Sequence, residues 1–169
     1  MKIQVPLEAG QLADRYSKYA TPANQIDNTP IVSFPIHISD TPEKAKTLAL
    51  TLLDWDAIPV SGFPWIHWIA ANIPAEVTDI PADNSQNPLV SMVQGRNSTA
   101  GSLVGNQNPI TAFRYNGPQP PNKPHNYRLM VFALDTSLDL ENGFWLNELQ
   151  HQMQGHILDT AEFIIPARN

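Results

Sequence analysis

Apolar and polar positions alternate along several short runs of the chain, a pattern typical of β-strands with one buried face. The runs that predict strands are residues 31–38, 47–56, 65–73, 126–134 and 156–165. In the second run the leucines share one face of the predicted strand, namely Leu48, Leu50 and Leu52, with Ala49 and Leu53 on the other. Asp54 continues the leucine face, where a carboxylate is costly to bury unless a partner compensates it.

Two of these strands carry a residue that breaks the pattern. Residues 65–73 are almost entirely apolar, which predicts a central strand covered on both faces. His67 interrupts this run and, by simple alternation, shares a face with Trp65 and Ile69. Pro35 lies inside the first run and favours a sheet edge or a bulge there, because proline cannot donate to a strand ladder.

One helix is predicted near the end of the chain, over residues 140–153. Asp139 is a candidate N-cap and Gly155 a candidate terminator. An apolar stripe recurs every four residues, at Trp145, Leu149 and Met153. Residues 74–111 have weak periodicity and many turn formers, which predicts a long irregular region of the kind that often carries function.

Composition narrows the class of protein without naming a function. The 169 residues predict a single domain over 1–169, and 42% hydrophobic against 15% charged residues predicts a packed core. The 16 prolines and 8 glycines suit short strands joined by turns. A net charge of −6 argues against broad nucleic-acid binding, and no apolar run is long enough to span a membrane. The N-terminus lacks a signal-peptide pattern, so a cytoplasmic location is expected.

Four polar residues stand at the ends of apolar strands and are the candidates for chemistry: Asp54, His67, His125 and Tyr127. Each has a structural explanation when taken alone, since Asp caps turns and a core His or Tyr needs only one hydrogen bond. Together, two imidazoles and a phenol form a set of donors that binds phosphate or carboxylate. Spacing along the chain does not show whether the four converge.

The same residues leave an enzyme open as the alternative. Asp54, His67 and His125 are the residue types of a two-histidine, one-carboxylate metal site, and a His–Asp pair is also able to catalyse acid–base hydrolysis. The chain has no Gly-x-Ser-x-Gly elbow, and the two histidines lack the i, i+4 spacing of compact helical metal sites. Binding is therefore favoured over catalysis.

Three separated blocks of the sequence resemble the phosphatidylethanolamine-binding protein family. Residues 53–59 (Leu-Asp-Trp-Asp-Ala-Ile-Pro) are similar to its Asp-Pro-Asp-Ala-Pro signature. Residues 65–74 (Trp-Ile-His-Trp-Ile-Ala-Ala-Asn-Ile-Pro) resemble its Trp-x-His-Trp strand. Residues 115–121 (Tyr-Asn-Gly-Pro-Gln-Pro-Pro), followed by His-Asn-Tyr at 125–127, resemble its third block. The match covers nearly the whole chain and is similar to the bacterial, Raf-kinase-inhibitor-like branch.

The resemblance implies an all-β fold, namely an antiparallel β-sandwich with Greek-key connections and a few short helices. It implies a pocket for a phosphate-like or phospholipid-headgroup anion formed by Asp54, Asp56, His67, Pro121, His125 and Tyr127. It also implies a binding or regulatory protein, such as a kinase modulator, with no catalysis, cofactor or metal. A protein partner is not identified, and exposed aromatics such as Trp145 leave a homodimer open. Trp55 and Asn126 replace a proline and an arginine of the family pattern.

Overall fold

The structure is a computed structural model that describes all of residues 1–169, and antiparallel strands dominate it. The strands are β1 (Lys2–Gln4), β2 (Gln25–Ile26), β3 (Thr29–Pro30), β4 (Ile36–Ser39), β5 (Thr47–Asp54), β6 (Trp65–Pro74), β7 (Asp79–Ile80), β8 (Val93–Gln94), β9 (His125–Leu134) and β10 (Ile157–Ala167). The helices are α1 (Ile58–Ser61), α2 (Pro109–Ala112) and α3 (Leu146–Met153), with 3-10 turns at Asp14–Tyr16, Pro22–Asn24 and Ser98–Ala100. None of the helices combines the length and apolar character needed to cross a membrane.

Two sheets pack face to face and enclose the main core, so the predicted all-β sandwich is confirmed. The larger sheet has five strands in the order β10-β9-β5-β6-β8, and the smaller has three in the order β1-β4-β7. The leucine face of β5 lies between the sheets and packs with residues of the small sheet such as Ile36 and Ile38. We call this cluster of 23 buried residues the sandwich core. Burial of this apolar surface between the sheets is expected to be the main stabilising contribution to the fold.

A second cluster covers the other face of the five-stranded sheet. It contains the residues of the central strands that alternate away from the sandwich core, including Ala49, Ile69 and Phe132, together with Leu149 and Met153 of α3. We call it the helix-side core. Because both faces of the large sheet are covered, its central strands are apolar at consecutive positions, as the run over residues 65–73 predicts.

The strands predicted from alternation are found, with shifted ends. The three central strands β5, β6 and β9 differ from their predicted bounds by one or two residues, and β10 begins one residue late and ends two later. The first predicted run is wrong over most of its length, because residues 31–35 lie outside any strand and β4 begins only after Pro35. The strand is also not an edge strand, since it lies between β1 and β7.

The predicted helix is shorter than its apolar stripe suggested. Residues 140–145 are not helical, because Gly143 has a φ of 91°, in the left-handed region that interrupts a right-handed helix. Asp139 is not the N-cap; its backbone N–H and C=O are bonded to the side chain of Gln152. The helix instead begins after Trp145, whose N–H donates to the Glu148 carboxylate at 2.6 Å. Gly155 follows the helix with a φ of 82°, as predicted.

Candidate ligand-binding site

The candidate site lies where three neighbouring strands of the large sheet begin or end. Asp54 is the last residue of β5 and pairs in register with Tyr127 of β9, while His125 is the first residue of β9. Strands β5 and β9 are antiparallel, so the end of one and the start of the other meet at the same edge of the sheet. Period-two alternation then directs Asp54, His125 and Tyr127 to the face of the sandwich core.

A β-bulge in β6 brings His67 to the same face. Leu52 of β5 pairs with Trp68, but the next residue, Leu53, pairs with Ile66, so His67 is the extra residue of the bulge. Bulges re-aim side chains near functional sites because two residues of one strand lie opposite one residue of its partner.

The bulge overturns the prediction that His67 shares a face with Ile69. Ile69 packs in the helix-side core, whereas His67 and Trp65 line the cavity on the other face. Alternation from either end of β6 therefore assigns the wrong face to one side of the bulge.

These side chains line a cavity of about 350 Å³ that opens to solvent. A volume of this size lies at the lower end of the range for small-molecule sites. Five of the six residues predicted for the site line it: Asp54, His67, Pro121, His125 and Tyr127. The two histidines, Asp54 and Tyr127 are all at most 5% exposed, so the polar floor of the cavity is desolvated.

The floor of the cavity contains a buried Asp54–His125 pair. Nδ1 of His125 lies 2.7 Å from Oδ2 of Asp54, and the other carboxylate oxygen accepts the N–H of Ala57 at 3.1 Å. Nε2 of His125 lies 3.1 Å from Oδ1 of Asn122, an oxygen that also accepts the N–H of Lys123. Both ring nitrogens of His125 therefore lie within hydrogen-bonding distance of a side-chain oxygen, and these two contacts fix the orientation of the buried ring.

His67 and Tyr127 are held in a different way. The His67 ring meets the Tyr127 ring edge to face at 4.9 Å, and its Nδ1 lies 2.7 Å from the backbone oxygen of Asn116. Burial lowers the pKa of His67 to about 4, so its imidazole is neutral near pH 7. Burial, together with the negative charge of Asp54, raises the pKa of the Tyr127 hydroxyl. Both groups therefore face the cavity uncharged.

Two residues singled out by the sequence lie elsewhere. Asp56 does not line the cavity, a correction to the predicted site; its carboxylate accepts the backbone N–H of Asn126 at 2.9 Å. Asn126 alternates away from the cavity and lines a separate groove with Arg128 and Ile164. The physical reason is the period of two, which turns the residue between His125 and Tyr127 to the other face of the sheet.

The structure adds polar residues that sequence reasoning did not assign to the site: Thr29, Ser61, Thr99, Asn116 and Gln119. Thr99 comes from the long irregular region of residues 74–111, where the sequence predicts function without indicating particular residues. Asn116 and Gln119 belong to the third resemblance block, but the group that contacts His67 is a backbone carbonyl, which no residue type reveals. The structure contains no group of three or more His, Cys, Asp or Glu side chains arranged to hold a metal ion.

Fold and cavity together define an antiparallel β-sandwich protein with a polar pocket at the ends of its central strands. The family model described as phosphatidylethanolamine-binding protein matches residues 4–167. The chain therefore belongs to the phosphatidylethanolamine-binding protein family.

Relatives and solved structures agree with this assignment. The uncharacterized protein YxkA of Bacillus subtilis is 50% identical over 157 residues, which cover 93% of this chain and 94% of that protein. A crystal structure of a phosphatidylethanolamine-binding protein homologue from Chlamydia trachomatis matches with a TM-score of 0.78 and 26% identity, over 99% of this chain and 97% of that one. The structure of Escherichia coli YbcL matches with a TM-score of 0.75 and 24% identity, over 99% and 98% of the two chains, and supports the fold alone.

Proposed function

We propose that the protein binds a small ligand with a phosphate-like anionic group in the cavity at the ends of β5, β6 and β9, and does not turn it over. The observation that carries the proposal is the convergence of Asp54, His67, Pro121, His125 and Tyr127 on one cavity of about 350 Å³. Its buried floor offers directed hydrogen-bonding groups, which is how proteins orient a small polar ligand.

The electrostatics of the cavity favour a singly charged group over a strongly charged one. No Lys or Arg lines the cavity, and the side chain that contacts the Asp54 carboxylate is the imidazole of His125. A ligand with two negative charges would lose its hydration without a fixed cation to replace it. A monoanion held by neutral donors and acceptors meets a smaller penalty.

Titration of isotope-labelled protein with phosphate esters tests the proposal. Inorganic phosphate, methyl phosphate and glycerophosphoethanolamine separate a free phosphoryl group from a lipid headgroup. We expect the signals of His67, His125 and Tyr127 to shift with at least one of them, with weak affinity because small ligands make few contacts. Shifts confined to surface residues, with the cavity signals unmoved, would contradict the proposal.

The regulatory role implied by the family belongs to the same proposal. Such a role, including modulation of a kinase, requires that occupancy of the cavity changes the affinity for the protein partner. Binding of any candidate partner should therefore differ between wild-type protein and a Tyr127→Phe variant at a ligand concentration that fills the wild-type cavity.

A hydrolase is the second candidate, favoured by the short buried contact between His125 and Asp54, which resembles an acid–base pair. Two observations support binding instead. Nε2 of His125 faces Asn122, and the Ser61 hydroxyl is engaged with the backbone oxygens of Ala57 and Phe63. Assays with p-nitrophenyl phosphate and p-nitrophenyl acetate should give no turnover above background. Turnover that disappears in Asp54→Asn would favour the hydrolase.

A further inference from the structure

The two ring nitrogens of His67 have different roles, and the structure fixes which is which. Nδ1 lies 2.7 Å from the backbone oxygen of Asn116. A carbonyl oxygen accepts hydrogen bonds and never donates them, so the hydrogen of the neutral ring must be on Nδ1. The ring is buried, and its edge-to-face contact with Tyr127 restricts rotation. In the other neutral tautomer, with hydrogen on Nε2, the lone pair of Nδ1 would face a lone pair of the Asn116 oxygen, which is repulsive.

The other nitrogen, Nε2, is therefore a hydrogen-bond acceptor. It makes no hydrogen bond within the protein, and it is not among the fully enclosed polar atoms, so it faces the cavity that His67 lines. The nearby titratable groups are Asp54 of β5 and His125 and Tyr127 of β9, and no Lys or Arg lines the cavity. Nothing in the protein supplies a hydrogen to Nε2, so a ligand group that displaces water from this nitrogen has to supply one.

We propose that the cavity selects a phosphate-like monoanion that keeps one P–OH group, and that this hydroxyl donates its hydrogen bond to Nε2 of His67. The inference rests on the proposed function and names the ligand class of the same site. A phosphate monoester in its singly charged form carries such a hydroxyl. A phosphodiester carries the same charge but has no hydrogen to donate.

The pKa values of the phosphate monoester and of His67 determine which of the two groups carries the shared proton. The second pKa of a phosphate monoester is about 6, whereas burial holds the pKa of His67 to about 4. The proton therefore stays on the phosphate and is shared as P–OH···Nε2. Above the second pKa the monoester loses this proton, and its affinity should fall about tenfold for each unit of pH. A phosphodiester has to recruit a proton to His67, so its affinity should instead rise as pH falls towards about 4.

Methyl phosphate and dimethyl phosphate are the matched probes, because at about pH 5 both are monoanions and they differ only in P–OH against P–OCH₃. Calorimetry or NMR titration should show that methyl phosphate binds at least about tenfold more tightly, since dimethyl phosphate leaves an acceptor unpaired. Equal affinities would overturn the inference while leaving the proposed function intact. Binding of neither probe would overturn the inference, and it would overturn the proposed function as well if inorganic phosphate and glycerophosphoethanolamine also leave the cavity signals unmoved.

Two variants separate the role of Nε2 from general damage to the pocket. His67→Gln places a side-chain amide near the position of Nε2, and this amide is able to donate as well as accept. In His67→Gln, the ratio of the affinity for methyl phosphate to the affinity for dimethyl phosphate should fall towards one. Tyr127→Phe removes a hydroxyl but keeps His67, so it should weaken both probes by a similar factor and preserve the ratio. An unchanged ratio in His67→Gln would count against the inference.

Steric exclusion of the extra methyl group is an alternative cause of a difference between the probes, and the pH dependence distinguishes it. The second negative charge lowers the affinity of methyl phosphate in either case, because no Lys or Arg lines the cavity. If the methyl group merely clashes, this fall should be equally steep in wild-type protein and in His67→Gln, and equal slopes would overturn the inference. If P–OH is the recognised group, the affinity should fall as pH rises above about 6 in wild-type protein, and less steeply in His67→Gln. Constant affinity of methyl phosphate across this range would overturn the inference.

Discussion

At the scale of single residues, Asp54 joins two segments that form the floor of the cavity. Its carboxylate accepts from His125 at the start of β9 and from the Ala57 N–H before α1. Asp54→Asn keeps the shape but removes the charge that the buried imidazole faces. We expect the free energy of unfolding to fall by about 1–3 kcal/mol, the usual cost of a buried charged hydrogen bond. Chemical denaturation monitored by tryptophan fluorescence measures this change.

Asp56 provides the matched control for Asp54. It is a half-buried aspartate two residues along the same segment, and its carboxylate accepts one exposed hydrogen bond from Asn126. Asp56→Asn should therefore cost less than about 1 kcal/mol. Equal losses in the two variants would mean that the Asp54–His125 contact adds little to stability.

The depressed pKa of His67 predicts how stability depends on pH. The ordinary pKa of 6.5 applies when the protein is unfolded, and about 4 applies when it is folded. As pH falls below about 6.5 the unfolded chain takes up the proton first, so the stability present above this pH is lost progressively down to about 4. The loss should approach about 3 kcal/mol, from a 2.5-unit difference in pKa.

Replacement of His67 by glutamine isolates this contribution. The difference in free energy of unfolding between wild-type protein and His67→Gln should change across this pH interval, because glutamine does not titrate. His151→Gln on the exposed face of α3 is the control and should give a nearly constant difference. Parallel stability curves for wild-type protein and His67→Gln would show that His67 does not couple proton binding to folding.

Residue types alone made part of this site predictable. Asp54, His67, His125 and Tyr127 are polar residues in apolar strands, which is why they could be recognised before the fold was known. Sequence could not show the tautomer of His67, since a backbone carbonyl fixes it. It also suggested that both histidines donate to an anion, whereas the geometry makes Nε2 of His67 an acceptor.

At the scale of elements, the segment that follows Tyr115 holds the ring of His67 in place. Gly117 lies within this segment, and a Cβ there would come within 2.5 Å of the backbone oxygen of Tyr16 and 2.6 Å of Cβ of Pro30. Gly117→Ala therefore forces the backbone to move, at a cost of about 1–3 kcal/mol in stability. Because the preceding carbonyl contacts His67, binding of methyl phosphate should weaken as well.

Gly101→Ala is the control for this prediction. The nearest atom to its added Cβ is the Ser98 oxygen at 3.4 Å, and its φ of −63° suits any residue. This variant should bind methyl phosphate like wild-type protein and lose less than about 1 kcal/mol of stability. If Gly117→Ala also retains wild-type affinity, the position of the Asn116 carbonyl is not important for the cavity.

The elements that were predicted correctly are those whose buried positions recur at a constant spacing along the chain. Strand β5 follows strict alternation, so both its faces were assigned correctly, whereas β6 contains a bulge that alternation does not detect. Helix α3 was predicted too long because an apolar stripe continues past Gly143, whose left-handed backbone stops the helix. Both errors, the face of His67 in β6 and the start of α3, arise from local backbone geometry that the pattern of apolar residues does not reveal.

At the scale of the whole molecule, the central strands of the large sheet are apolar on both faces. The small sheet covers one face and α3 covers the other. The sandwich core and the helix-side core share the central strands β5, β6 and β9, so the site residues at the ends of these strands are held by both. Composition and alternation predicted the strands, whereas the sandwich was implied by the family resemblance, because the pairing of β9 with β5 depends on contacts between distant segments. Only the family resemblance indicated that these strand ends meet.

The net charge of −6 makes the salt dependence of binding informative. Anion sites built on Lys or Arg weaken as salt is added, because screening shortens the reach of a charge from about 30 Å at 0.01 M to about 10 Å at 0.1 M. No Lys or Arg lines this cavity, and the overall field repels anions. The affinity for methyl phosphate should therefore change by less than about twofold across this range of salt, or rise slightly.

Added charge at the mouth of the cavity should reverse this behaviour. Gln119 is exposed and lines the cavity, so Gln119→Arg places a cation beside the ligand. Affinity should rise several-fold at about 0.01 M salt and lose most of that gain at about 0.1 M. Gln150→Arg, on α3 across the large sheet, adds the same charge away from the cavity and should leave the salt dependence as in wild-type protein. A steep loss of affinity with salt in wild-type protein would show that a cation outside the cavity wall already holds the ligand.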